Sequence, residues 1–452
     1  MKGIVPLIVL LMIVTLKATS QQWENTGVGL DGPVYCFAVY KDQLYAGGKF
    51  LTAGGTPAAN IARWDGAAWS PLGSGTNGAV YTLFVQGNQL YVGGSFTSCG
   101  GTPCTYIARW DSANWSPVGT DLNGSVYAIA EYQQTLFIGG AFSQVGTIVT
   151  NHIAEWSGSD WQDMTGGLND TVYAFTVTPS SELFADLIAG GAFRTPEISK
   201  VAWLHPAYQS WRAPEWGGFN APVFVLANYP GGIVAGGAFT SNSSGSAVNH
   251  LALKGTEFYG GTDGNVFALL PNGSDLYVGG SFNTVGKNPG IRASSIAKWN
   301  GSSWEALGSG TNKSIRAIAL YHEDLYVGGE FDSAGGKKLD HVAFWGGSTG
   351  TQVVHERERG GDRNLKNYPN PFNTTTVIEY DIEGARVEGF GMNVKLAVYD
   401  MLGREIAVLV DDKKPPGSYK VLYDGSRIAS GVYICRITTG TYAQSRRMVL
   451  VR

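Results

Sequence analysis

The residues of this 452-residue chain that could do chemistry are few and scattered. His152, His250 and His341 each fall just before an Ile-Ala-type strand pattern. If those loops share a face, the three imidazoles could meet near an axis as a metal or acid–base group, although isolated capping histidines are the simpler reading. Glu131, Glu155 and Glu330 are candidates for the paired carboxylates of glycoside hydrolysis. They are dispersed along the chain, and solvated surface charge accounts for them more simply. Cys99 and Cys104 bracket the loop Cys-Gly-Gly-Thr-Pro-Cys. In an oxidising compartment this spacing suggests a loop disulfide, and no His or further Cys stands nearby to complete a tetrahedral metal site. Cys36 and Cys435 sit in apolar strand patterns and read as buried thiols. There is no His-Glu-x-x-His, P-loop, Gly-x-Ser-x-Gly or EF-hand spacing. No cofactor is expected, and an enzyme is not the favoured reading.

The elements that would carry these residues repeat. A Gly-Gly pair followed two residues later by Phe occurs at Gly47-Gly48, Gly93-Gly94, Gly139-Gly140, Gly190-Gly191, Gly236-Gly237, Gly279-Gly280 and Gly328-Gly329. The steps are 46, 46, 51, 46, 43 and 49 residues. Each copy holds four short strand patterns. The first opens on Val34-Tyr35 and its equivalents, through Val223-Phe224 and Val266-Phe267 to Ile315-Arg316. The second carries the glycines, the third reads Ile-Ala-x-Trp, and the fourth is anchored by a further Trp. Four strands at this period describe one blade of a β-propeller. The last copy stops after its third strand at Trp345, while Trp23 stands 11 residues before Val34, as Trp69 does before Val80. An N-terminal strand that completes the last blade explains both ends. The expected fold is therefore all-β: a seven-bladed β-propeller over 21–347, closed by its first strand. The repeated Trp, Tyr and Phe are expected to fill the core between blades, and the glycines to admit a neighbouring backbone or Trp, or a bulge. The copies resemble kelch-like and galactose-oxidase-like propeller repeats. Copies four and five depart, with Trp211 eight residues after Trp203 in place of the usual step of five, and with Leu253 and Phe258 in place of tryptophans. The repeat implies a fold and no activity; the Tyr, His and Cys set of copper-radical oxidases is not matched.

Residues 1–20 have the basic Lys2, an apolar stretch and small residues at Ala18-Thr19-Ser20, the pattern of a cleaved signal peptide. No later stretch is apolar enough to span a membrane. Residues 348–366 are polar and read as a linker, and short alternating strands fill 367–452 as a small antiparallel β-sandwich. Asn370-Pro371-Phe372-Asn373, then Gly403 within Tyr-Asp-Met-Leu-Gly-Arg, then Ser430-Gly431-Val432-Tyr433, resemble in order the C-terminal sorting domain of the type IX secretion system. That resemblance implies a Gram-negative bacterium of the Bacteroidota or a related phylum, handling by the type IX machinery, and a secreted or surface-attached product.

Residues 21–347 carry 15 Lys and Arg against 24 Asp and Glu, which argues against nucleic acid as a partner. The favoured function is a monomeric recognition or adhesion module for a glycan or protein, bound on the face of the variable second-to-third-strand loops such as 283–295. An extracellular carbohydrate-active enzyme and a ligand-free structural envelope protein are the alternatives.

Overall fold

The computed structural model describes residues 21–347 and 365–451, apart from 120, 165, 179–184, 205–209, 288, 323, 369, 371, 383–391, 401–403, 415–416, 427 and 440–441. The signal-peptide reading, most of the linker, Pro371 and Gly403 lie outside the described residues. Among those described there is no α-helix, and none long and apolar enough to cross a membrane. The chain divides into two compact units, 1–351 and 352–452.

Among the described residues the first unit contains seven four-stranded antiparallel sheets, numbered here 1 to 7 along the chain. Their innermost strands are Val34–Tyr40, Val80–Gln86, Val126–Tyr132, Val172–Val177, Val223–Tyr229, Val266–Asn272 and Ile315–Tyr321. Each inner strand packs against the next, and that of sheet 7 packs against that of sheet 1, so the series closes on itself as a β-propeller. The fourth strand of sheet 7 is Gln21–Glu24, paired with Val342–Gly347 at the far end of the first unit. Trp23 stands opposite Trp345, the register of Trp64 opposite Trp69 and of Trp110 opposite Trp115. The Trp23 indole N–H donates to the Leu307 carbonyl oxygen of sheet 6 at 2.9 Å. The Trp115 and Trp161 indoles likewise donate to Leu72 and Val118 of the sheets before them. In sheet 5, Phe258 takes this buried place without an N–H to donate.

The glycine pairs set how closely the strands approach. A Cβ on the first glycine would strike the inner strand of the next sheet: from Gly93 it would lie 2.8 Å from Val126 Cγ1, and from Gly328, 2.6 Å from Val34 Cγ1. A Cβ on the second glycine would strike a carbonyl of its own sheet, 2.1 Å from the Ala79 oxygen at Gly94. Of the neighbours expected at the glycines, a backbone lies at the second of each pair, while at the first the neighbour is a Val or Ile side chain and not a Trp. In all seven sheets a register shift falls in the inner strand opposite the pair. The skipped residues are Tyr35, Tyr81, Tyr127, Tyr173, Phe224, Phe267 and Arg316, so each is the extra residue of a β-bulge.

The second unit packs two sheets around one core. One holds Lys366–Tyr368, Thr375–Ile382 and Gly417–Asp424; the other holds Met392–Tyr399, Glu405–Lys414, Gly431–Thr439 and Tyr442–Leu450. Ile378, Tyr380 and Tyr423 of the first meet Val394, Leu396 and Met448 of the second. Leu365, in the segment read as linker, is buried in this core.

The glycine contacts yield a test. At Gly93 the obstructing atoms are side-chain methyls of Thr82 and Val126, which can yield, whereas at Gly94 the nearest is a backbone carbonyl. Gly93→Ala should cost about 1–3 kcal/mol as ordinary overpacking, and Gly94→Ala more. Scanning calorimetry would show the larger fall in the propeller transition for Gly94→Ala; equal falls would contradict this account.

Candidate functional site

A bulge turns a side chain out of the pleat, and here it turns one per sheet toward a common space. Tyr35, Tyr81, Tyr127, Tyr173, Phe224, Phe267 and Arg316, with Glu330, line a cavity of about 370 Å³. All eight are half-buried. Neighbouring rings touch in sequence around the axis, with centroids 5.7 Å apart for Tyr35–Tyr81, 4.9 Å for Tyr81–Tyr127 and 5.5 Å for Tyr127–Tyr173. The series continues at 5.6 Å to Phe224 and 5.4 Å to Phe267. The Arg316 guanidinium lies over the Phe267 ring, 3.8 Å from its centroid, and takes the seventh place as a flat group among flat rings.

Arg316 is held by Glu330, the residue just past the glycine strand Asp324–Gly329 of its own sheet. Its Nε and Nη2 donate to one carboxylate oxygen at 3.2 and 2.9 Å, and the Ser314 hydroxyl donates to the other at 2.8 Å. Burial alone would raise the Glu330 carboxyl; the Ser314 hydrogen bond and the Arg316 charge outweigh it and hold the group below its usual range. Burial, reinforced by neighbouring charges or phenols, pushes the Tyr35, Tyr127 and Tyr173 hydroxyls up, so these phenols stay protonated at ordinary pH.

The sequence reading of all repeated aromatics as core holds for the tryptophans and fails for this row, because the bulge removes it from the packed alternation. A signal was present: an Arg in a row of Tyr and Phe does not suit an apolar core, and the same copy carries the only acid at the Glu330 position. Glu131 and Glu155 lie on different strands of sheet 3, both paired with Thr135–Gly140, and neither lines the cavity.

The loops at the glycine end are more regular than their sequences suggest. Among the described residues five are two-stranded hairpins, Thr52–Ala53 with Thr56–Pro57 being the first. An Asn or Asp side chain 20 residues earlier caps most of them, as Asn77 Oδ1 does by accepting the Thr97 and Ser98 amide N–H groups at 2.8 and 2.9 Å. Cys99 and Cys104 flank one hairpin, both buried, with Cα atoms 5.9 Å apart, within disulfide reach. Cys435 is fully buried, its thiol pushed up to about 12 by burial, while Cys36 is half-buried.

His152, His250 and His341 occupy one repeated turn position with φ of 71°, 61° and 62°, shared with Asn60 and Ser295 at 63° and 64°. The His152 and His341 backbone carbonyls accept from Gly140 and Gly329 of their own sheets. None of the three lines the axial cavity. No group of three His, Cys, Asp or Glu able to hold a metal occurs among the described residues. The 283–295 loop borders a separate polar cavity of about 450 Å³, with Asn249, Glu257 and Lys287 in its wall.

In the second unit Asn370 behaves as a piece of strand. Its side-chain amide donates to the Arg447 carbonyl and accepts from the Val449 amide N–H, both at 2.9 Å. Phe372 is 2% exposed, and its backbone pairs with Val449 and Val451. The Tyr433 hydroxyl donates to the Ala429 carbonyl at 2.8 Å, and Gly431 stands opposite Leu450. Asn373 and Ser430 are exposed. The described motif residues therefore converge on the turns and the last strand.

Residues 67–193 match the family model of the Rax2 C-terminal beta propeller domain, and residues 366–451 match that of the secretion system C-terminal sorting domain. No curated protein matches. Among solved structures, a crystal structure of the eukaryotic initiation factor aligns over 94% of this chain and 91% of that one, at 11% identity. Its TM-score of 0.29 is too low to bear on the fold. The sorting domain marks a secreted or outer-membrane surface-attached bacterial protein, handled by the type IX machinery.

The Arg316–Glu330 pair predicts a pH signature. The lowered carboxyl contributes stability that is present above its unfolded value near 4.5 and is lost as pH falls through the lower folded value. In Arg316→Gln burial is left less opposed and the Glu330 carboxyl should rise. The melting temperature of the variant should then fall furthest below the parent at pH 7, with the gap closing as Glu330 protonates in acid. A gap independent of pH would show that the pair does not act electrostatically.

Proposed function

We propose that this exported β-propeller is a recognition module whose ligand enters the axial aromatic collar. The observation that carries the reading is the collar itself. Seven bulges, one per sheet, hold six aromatic side chains and one arginine around a cavity of a volume typical of ligand sites, about 300–1,000 Å³. Packing alone would favour filling that space, and tyrosine at four of the seven positions supplies hydroxyls that a filled apolar core has no use for.

Several finer points belong to the same proposal. The seven sheets are read as seven blades of one kelch-like ring, on the double-glycine spacing and the contact of the last inner strand with the first. Cys99 and Cys104 form a disulfide after export, which suits an oxidising exterior. Residues 1–20 are removed as a signal peptide, 348–366 act as a linker, and 367–452 form the sorting sandwich, in which Asn370, Pro371, Phe372, Asn373, Gly403, Ser430, Gly431 and Tyr433 are the recognition or turn residues. The protein acts as a monomer.

The test is an array of glycans and peptides probed with the full exported chain, beside the Tyr127→Ala/Phe224→Ala variant. A saturable signal on the parent that the variant loses is the expected result. A signal that the variant keeps and that deletion of 283–295 abolishes would move the site to the polar cavity beside that loop.

A further inference from the structure

The collar is unusual in how it presents charge. It contains one cation and one anion, and these are spent on each other. Glu330 receives two N–H groups of Arg316 on one oxygen and the Ser314 hydroxyl on the other. No other ionised side chain lines the cavity among the described residues. An anionic ligand would be desolvated against the rings and would have to break this pair to find a partner, while a cationic one would have to sit beside the like-charged Arg316 guanidinium on the same ring faces. A neutral one need not.

The remaining surface alternates two textures. Ring faces and edges offer apolar contact, while the phenol hydroxyls both donate and accept. A guanidinium has five N–H donors, so Arg316 keeps further donors after serving Glu330. Adjacent planes are tilted by 33° to 64° from Tyr35 round to Phe267, so the collar is a ring of slanted plates. With centroids about 5 to 6 Å apart, the seven places lie on a circle of roughly 6 Å radius. That suits a compact, uncharged molecule with apolar C–H faces and a rim of hydroxyls.

Resting on the recognition reading above, we infer that the axial collar binds a neutral sugar residue, with its C–H faces against the aromatic rings and its hydroxyls on the phenols and on the paired Arg316 and Glu330. One saccharide unit fills the collar, and the rest of a glycan leaves along the axis. Arg316 has two duties here. It completes the ring of flat groups, and it cancels the Glu330 charge that would otherwise turn an aromatic cage toward cations.

The experiment is calorimetric titration of the full exported chain with three probes: a panel of neutral tetrasaccharides (cello-, malto-, manno- and xylo-), a tetra-galacturonate, and choline. At least one neutral tetrasaccharide should bind saturably, with choline and the uronate silent. Tyr127→Ala should weaken that binding about ten-fold, as loss of one stacking partner. Tyr127→Phe, which copies the residue type found at Phe224 and Phe267, keeps the ring with little risk to folding and should weaken it only a few-fold. Arg316→Ala should lose affinity for the sugar and gain binding of choline. Tight binding of choline or uronate by the parent, lost in Tyr127→Ala, would overturn the sugar assignment while leaving axial recognition standing. Sugar binding untouched by all three substitutions would overturn both.

Discussion

The axis of this ring is governed by the distance at which one sheet's second strand lies beneath the next sheet's inner strand. Gly47 admits the Val80 side chain of sheet 2, and Gly328 admits Val34, which joins the last sheet to the first. The partner glycine leaves room for a carbonyl of its own inner strand, that of Pro33 at Gly48. With two backbones this close, the inner strand cannot keep a regular register, and one residue is displaced in every sheet. The displaced side chains make the collar. Close packing between sheets and an open, lined space at the centre are two results of the same contact.

The backbone repeats seven times, but the chemistry at the axis does not. Four tyrosines, two phenylalanines and an arginine occupy equivalent places. The one position carrying a guanidinium belongs to the sheet whose glycine strand is followed by the one acid. That sheet is also the one stitched together from both ends of the first unit. The asymmetry gives the collar a direction, which an oriented ligand requires and which packing does not. In the sorting unit a different economy operates: Asn370 replaces backbone pairing with its side chain, and Phe372 fixes the first turn to the last strand.

Much of this was legible in the chain. The double glycines are readable because a missing side chain has one steric use, and the unpaired Trp23 announced how the ring closes. The sorting sandwich showed itself through alternation and its turn residues. The collar was not read, because Val-Tyr in a strand looks like core when the strand is taken alone. A bulge is a property of two strands, set by the glycines opposite. The histidines show the same dependence on backbone geometry. Their repeated place is a left-handed turn that Asn60 and Ser295 fill equally well, so position there reflects backbone geometry. The loops looked variable because their lengths differ, while the Asn or Asp that clamps them stands 20 residues away in sequence.

The central claim is that the seven displaced residues form a binding surface and are not packing. The direct measurement is an NMR titration of the full exported chain, labelled with 13C at the tyrosine ζ carbon, using the neutral tetrasaccharide that binds most tightly. The account predicts saturable shifts at Tyr35, Tyr81, Tyr127 and Tyr173 and none at tyrosines outside the axis, such as Tyr259 or Tyr423. Saturable binding that leaves those four resonances unmoved would contradict it.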